Sequence, residues 1–208
     1  MHHRALSALN LTRRFRLLCY AGALISVGTL AGCGRDEIIA PDGSASVGQQ
    51  FTVDAATSWV YVDLATGATV ALTDPSSSTT WDIAFNATSV QLNGGTAGPA
   101  GVTGFCLCTN ADASNDEILQ MTPDNQKSVF TDALNSAIPA DGADWSSDVF
   151  EASPWYRYDL AGDHHISPTF DVYFIKRDAT IYKIQIINYY GPAGETRQIT
   201  TRYSKVRG

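Results

Sequence analysis

Thr180-Ile181-Tyr182-Lys183-Ile184-Gln185-Ile186-Ile187-Asn188-Tyr189-Tyr190 carries the best strand signal in the chain, because β-branched and aromatic side chains fill almost every position. Successive side chains of a strand point to opposite faces. Ile181, Lys183, Gln185, Ile187 and Tyr189 therefore share one face, while Tyr182, Ile184, Ile186 and Tyr190 share the other, which is the expected core face. Runs of the same character lie on both sides, at Thr169 to Lys176 and Thr196 to Val206. The short turn Arg177-Asp178-Ala179 and the loop Gly191 to Glu195 separate them. Three strands joined by such short links read as an antiparallel meander.

Upstream, the same alternation of β-prone runs and turn clusters gives further strands at Gln50 to Ala55, Trp59 to Leu64, Thr69 to Leu72, Thr80 to Asn86, Ser89 to Leu92 and Thr103 to Cys108. Ala65-Thr66-Gly67 suits a tight hairpin. In Trp81-Asp82-Ile83-Ala84-Phe85, alternation sends Trp81, Ile83 and Phe85 to one face as core, and Asp82 is expected to accept from backbone donors. One helix interrupts the pattern: Thr122 can cap it, Pro123 suits its first position, and Phe130, Ala133, Leu134 and Ala137 recur at helical spacing up to Pro139. A shorter helical turn is expected near Asn115 to Met121. The loop Asn93 to Gly101, with four glycines and a proline, offers little to a core and can approach a ligand or another backbone closely. The fold class is thus all-β, a predominantly antiparallel sheet structure with one or two short helices, over residues 49–208.

The N-terminal segment reads differently. Arg4, Arg13, Arg14 and Arg16 precede an apolar run from Leu17 to Ala31 that no acidic residue interrupts. At about fifteen residues it is short for a spanning helix, which needs roughly twenty, and fits the h-region of an export signal. Leu30-Ala31-Gly32-Cys33 resembles a bacterial lipobox, so residues 1–32 are expected as a lipoprotein signal peptide and Cys33 as the lipidated residue. Several acyl chains on one cysteine hold far more firmly than one, since each buried methylene adds about 0.8 kcal/mol. Gly34 stands where an aspartate often retains lipoproteins at the inner membrane, which points to the outer membrane or cell surface. Residues 33–48, polar with Pro41 and Gly43, read as a lipidated tether.

Charge and cysteine content narrow the partners. The four leader arginines leave with the signal, so ten of 14 basic residues face 21 acidic ones and the net charge falls from −7 to −11. Such a surface repels nucleic acid and anionic headgroups, leaving the lipid anchor as the membrane contact. Cys106 and Cys108 are the mature thiols, and in an oxidising compartment they are expected as a disulfide. An extended strand holds residues i and i+2 near the outer limit of disulfide geometry, so closure requires a bend. A zinc or iron–sulfur centre would need further ligands, and no second cysteine pair exists.

Standard catalytic signatures are absent: no phosphate-cradling glycine loop, no His-Glu-x-x-His and no nucleophile elbow. No enzyme is expected. His164 and His165 are the mature histidines, since His2 and His3 lie in the leader. Gly162-Asp163 and Ser167-Pro168 around them equally suit a solvated turn. Imidazole is nonetheless a common metal and haem axial ligand.

Several phrases resemble the HmuY family of haem-binding surface lipoproteins. They are Trp59-Val60-Tyr61-Val62-Asp63-Leu64 with Thr66-Gly67, then Trp81-Asp82-Ile83-Ala84-Phe85, then Asn93-Gly94-Gly95-Thr96, and the late Tyr182-Lys183-Ile184, all in the family's order. The resemblance implies an all-β protein that takes up haem without catalysis and passes it to an outer-membrane haem transporter. It also implies a ligand problem, because haem capture in the family is associated with two histidines gripping iron from opposite sides. In an extended segment His164 and His165 point to opposite faces and cannot both reach one iron. The cofactor-binding candidates are therefore His164, His165 and Met121, with Cys106, Cys108, a tyrosine or a second molecule as alternative second ligands. A five-coordinate haem, or a non-haem structural or interaction lipoprotein of the same fold, stays open.

Overall fold

Residues 48–133 and 137–208 are described by the computed structural model. The leader, Cys33 and the tether up to residue 47 lie outside the described residues, as does Leu134. Five antiparallel strands form the larger sheet: Gln49–Asp54 (β1), Thr196–Arg207 (β11), Thr180–Tyr190 (β10), Tyr173–Arg177 (β9) and Thr103–Cys106 (β6), in that spatial order. The meander of β9, β10 and β11 is its centre. A second antiparallel sheet of four strands orders Ala68–Val70 (β3), Val60–Asp63 (β2), Ile83–Asn86 (β4) and Ser89–Leu92 (β5). A small hairpin pairs Tyr156–Tyr158 (β7) with Ile166–Pro168 (β8). Three short helices complete the fold: Asn115–Gln120 (α1), Lys127–Asp132 (α2) and Val149–Ala152 (α3). Among the described residues no helix is long and apolar enough to cross a membrane.

The main core lies between the two large sheets, where Val62, Leu64, Ile83, Phe85 and Leu92 of the smaller sheet meet Ile175, Ile184, Ile186, Ile199 and Tyr203 of the larger. Trp81, Ile83 and Phe85 are all fully buried. Asp82 accepts from the Leu64 backbone N–H at 2.8 Å and from Arg177 at 3.0 Å. Burial raises the Asp82 carboxyl above its ordinary range, and those two donors oppose the rise. The hairpin between β2 and β3 turns at Gly67, whose φ of 68° places it in the left-handed region, with the Tyr203 hydroxyl seated where a side chain would go.

The outer face of the larger sheet is buried as well, so β10 has two core faces where alternation suggested one. Phe130, Ala133, Val172, Phe174 and Ile181 form a second cluster there, joined by the partly buried Leu107, Trp145 and Val206. Polar side chains tie the helical layer to this face. Lys183 donates its ammonium to the carbonyls of Phe130, Thr131 and Ala133 at 2.7, 3.3 and 3.1 Å. Gln185 donates to the Phe170 carbonyl at 2.7 Å, and Arg202 to that of Pro123 at 2.9 Å. Lys183 is 5% exposed, and its three acceptors are carbonyls at the end of α2 that the helix itself leaves without partners.

That arrangement explains why α2 is shorter than the helix over 123–137 that the spacing suggested. Thr122 and Asn125 cap each other, Asn125 N–H donating to Thr122 Oγ1 at 3.2 Å and Thr122 N–H to Asn125 Oδ1 at 2.8 Å. The chain from 122 to 126 is therefore a closed turn, and the helix begins after it. At the other end the lysine draws the carbonyls of Phe130, Thr131 and Ala133 toward itself. α1 begins with a capping box in which Ser114 and Glu117 satisfy each other's backbone N–H.

The glycine loop 93–101 folds onto the protein's own backbone. Asn93 is fully buried, donates to the carbonyls of Ser78 and Trp81 at 2.9 Å each, and accepts from the Ala100 N–H at 3.2 Å. A Cβ on Gly94 would collide with the Val102 carbonyl.

Candidate functional site

Trp155 fixes the start of the β7–β8 hairpin: its ring is buried, its Nε1 donates to the Thr88 carbonyl at 2.9 Å, and its own carbonyl accepts from the Thr169 N–H at 2.9 Å. The strands that follow are only three residues long. Pro168 ends the pairing, and the connecting loop closes through the Asp159 N–H on the His165 carbonyl at 2.7 Å. Asp159 and His164 both have φ near +60°, and Gly162 has φ 77°. Asp159 Oδ1 accepts from the His164 N–H at 3.0 Å and Asp163 Oδ1 from the His165 N–H at 3.1 Å, so two carboxylates hold the backbone of the histidine pair.

The left-handed turn at His164 removes the extended alternation, and each imidazole finds a different tyrosine. His164 Nδ1 lies 2.7 Å from the Tyr158 hydroxyl. The His165 ring stacks on Tyr190, 4.6 Å between centroids at 20°. Tyr190 in turn accepts from the Ile166 N–H at 2.9 Å, which locks its hydroxyl to the start of β8. Behind it an aromatic series runs inward, from Tyr190 to Tyr189 at 5.0 Å, Tyr189 to Trp155 at 6.3 Å and Trp155 to Tyr156 at 5.1 Å. Both imidazoles are exposed.

Tyr190 reaches His165 because β10 is bulged. Ile186 pairs with Thr201 and Asn188 with Thr200, leaving Ile187 as an extra residue, and a second shift follows before Tyr190. Asn188 replaces the lost ladder locally, accepting from the Tyr189 and Tyr190 N–H groups and donating to the Tyr190 carbonyl at 2.7 Å. The bulge reverses the alternation beyond it. Tyr189 takes the place in the main core that strict alternation gave to Tyr190, and Tyr190 turns to the rim.

Two hollows adjoin the hairpin. One, about 300 Å³, is lined by Tyr190 with Thr52, Asn188, Gly191, Gln198 and Thr200. The other, about 360 Å³, is lined by Tyr156 and Arg157 of β7 with Cys108, Asn110 and Asp171. Each lies at the small end of the range of roughly 300 to 1,000 Å³ that small-molecule sites occupy.

The donor set fits an axial ligand of iron. A ligating histidine commonly carries a hydrogen-bond partner on one ring nitrogen, which fixes its orientation and leaves the other free. His164 has that arrangement, with Tyr158 on Nδ1 and Nε2 left over. The site offers this on an open rim and not in an enclosed slot. Met121 stands at the C-cap of α1, its N–H on the Ile118 carbonyl at 3.1 Å, and α1 packs beside β8. Cys106 and Cys108 are bonded to each other, with Cα atoms 5.0 Å apart, the bend falling at Cys108 with φ 48°. Among the described residues no group of three or more histidines, cysteines or carboxylates is placed to hold a bare metal ion.

Sequence reading missed Tyr158, Tyr190 and the hairpin itself. The signal was Trp155-Tyr156-Arg157-Tyr158, a short aromatic alternation between Pro154 and Asp159, too brief to stand out from a loop. Tyr190 was visible but assigned inward, because a bulge cannot be read from alternation.

The family model described as HmuY protein matches residues 55–203. Solved structures with similarity include a Bacteroides fragilis protein assigned as a lipoprotein, at 20% identity and TM-score 0.45, covering 78% of this chain and 93% of that one. A Bacteroides vulgatus protein assigned as an HmuY-like haem-binding protein matches at 16% identity and TM-score 0.47, covering 78% and 94%. The apo HmuY analogue of Tannerella forsythia matches at 14% identity and TM-score 0.48, covering 77% and 96%. No curated protein matches the sequence.

Proposed function

This chain belongs to the HmuY family, and from that premise we propose that it is a non-catalytic haem-binding lipoprotein, lipidated at Cys33 and displayed at the outer membrane or cell surface. One observation supports His164 as the iron ligand: its Nδ1 is engaged by the Tyr158 hydroxyl at 2.7 Å, which holds the exposed ring and leaves Nε2 for ligation. Bound haem would supply a flat apolar macrocycle and an iron with axial positions to fill. The chain's part is to present an imidazole nitrogen with its ring held, and aromatic faces for the macrocycle to lie against. His165 and Met121 are the further candidates for ligation. Delivery to an outer-membrane haem transporter follows from such a role, since an exposed rim releases a ligand more easily than a closed slot.

A second reading has its own support in the exposure of both imidazoles and the small size of the two hollows. In it the fold is kept for protein or glycan contact and haem is not bound.

Titrating the purified protein with hemin separates them. A saturable Soret shift that is lost or displaced in the His164→Ala/His165→Ala double variant is the expected result. A shift unchanged in that variant removes the two histidines as ligands, and no shift at all in the wild type overturns the haem reading. Tyr158→Phe should weaken binding without abolishing it, because it frees the imidazole to rotate.

A further inference from the structure

The Cys106–Cys108 disulfide closes a ring around a single residue, Leu107. A cross-link over so short a loop removes the least chain entropy from the unfolded state, so its contribution to global stability is small. It also holds Cys108 at φ 48°, a conformation that a residue with a side chain rarely adopts. Both cysteines are partly exposed. Their surroundings differ: Cys106 ends β6 and packs against the main core, whereas Cys108 lines the hollow of about 360 Å³ together with Arg157 and Asp171. The Asp171 carboxylate accepts from the Asn110 N–H at 2.8 Å, and Arg157, whose guanidinium donates to Asn115 Oδ1 at 3.0 Å, lines the same hollow.

We propose that this pair is a thiol–disulfide exchange site whose partner is a small dithiol, or two equivalents of a monothiol, entering through the hollow beside Cys108. An incoming thiolate attacks Cys108 Sγ. The bond between Cys106 and Cys108 breaks, a mixed disulfide forms on Cys108, and Cys106 leaves as a thiolate. The second thiol of the partner then attacks its own sulfur in the mixed disulfide, releasing Cys108 as a thiolate. Two electrons have passed from the dithiol to the cystine, the partner leaves as a disulfide, and its two thiol protons go to the cysteine thiolates or to solvent. Each step depends on the thiolate form of the attacking sulfur.

Reversal is built into the loop. The Leu107 N–H donates to the Val172 carbonyl at 2.8 Å, and the Asn110 side chain donates to the Thr169 carbonyl at 2.8 Å. These bonds do not involve sulfur, so they keep the two cysteines together after the bond opens. This inference is independent of the haem reading.

The test uses the purified protein without denaturant, treated with dithiothreitol and then alkylated, with peptide mapping of Cys106 and Cys108. Both should be labelled while the near-ultraviolet circular dichroism of the fold persists. A pair that stays oxidised until the protein unfolds overturns the proposal. In a second measurement the Cys106→Ser and Cys108→Ser variants are exposed to glutathione disulfide. Cys108 in the first should form its mixed disulfide at least about tenfold faster than Cys106 in the second. Equal rates, or the reverse order, overturn entry through the hollow.

Discussion

The two faces of the larger sheet are buried by different means. Toward the smaller sheet, contact is almost wholly apolar: Phe85, Ile184, Ile186 and Ile199 interlock with regular strands whose backbone groups are already paired. Toward the helical layer, the same sheet presents Lys183, Gln185 and Arg202 among its apolar residues, Lys183 donating to carbonyls at the end of α2 and Gln185 and Arg202 to carbonyls of irregular chain. A layer with little secondary structure leaves its carbonyls without internal partners, and burying such groups bare is costly. Long polar side chains from the sheet meet that need. Stability on one face therefore resides in packed volume, and on the other in a few directed hydrogen bonds.

Phe85→Ala tests the packed face most severely. Its ring is fully buried and also meets Phe51 edge-on at 5.9 Å, and its loss should lower unfolding free energy by about 3–5 kcal/mol in urea titration. Lys183→Met keeps the aliphatic bulk of the other face but strands three carbonyls, and should cost about 1–3 kcal/mol. Hydrogen exchange should show its loss of protection concentrated in α2, whereas Phe85→Ala should lower protection across both sheets. Equal spread in the two variants would erase the distinction between the faces.

Lys183 also gives the contrast a pH signature. Burial pushes its amine from the ordinary 10.5 down to about 8, with Asp132 opposing the fall. Between those values the unfolded chain binds a proton that the folded chain has released, so this residue's contribution to stability rises as pH increases from about 8 to 10.5. Wild type should gain on Lys183→Met across that window in parallel denaturation series, and a flat difference would mean that the amine stays charged in its cradle. The smallest effect belongs to the hairpin. His164→Ala/His165→Ala alters exposed rings and should shift unfolding free energy by less than about 0.5–1 kcal/mol, so any change in the hemin spectrum of this variant reports ligation and not unfolding.

Much of the fold could be read directly. Strands β1 to β6 and the meander of β9 to β11 followed from β-prone runs between turn residues, the turn at Gly67 from Ala65-Thr66-Gly67, and the inward face of β4 from the alternation of Ile83 and Phe85, whereas Trp81, expected beside them, is buried outside the main core against Tyr61. These features depend on neighbours within a few residues, which is the range over which periodicity and turn chemistry act. The candidate site was legible only as two histidines. Their tyrosine partners come from β7, six residues before His164, and from the far end of β10, and only the second was recognised as strand.

Sequence fixed the residue types, the two-residue period of the long strands, the spacing of Cys106 and Cys108 and the pairing of His164 with His165. Whether those features met anything was a tertiary matter. The bulge at Ile187 turned Tyr190 from the core to the rim, the helical layer made a second core of the opposite face of β10, and the left-handed backbone at His164 sent neighbouring imidazoles to separate tyrosines. The first two rest on a single inserted residue in a ladder and on contacts between residues far apart along the chain, and the third on a turn held by Asp159 and Asp163; none leaves a mark on local periodicity.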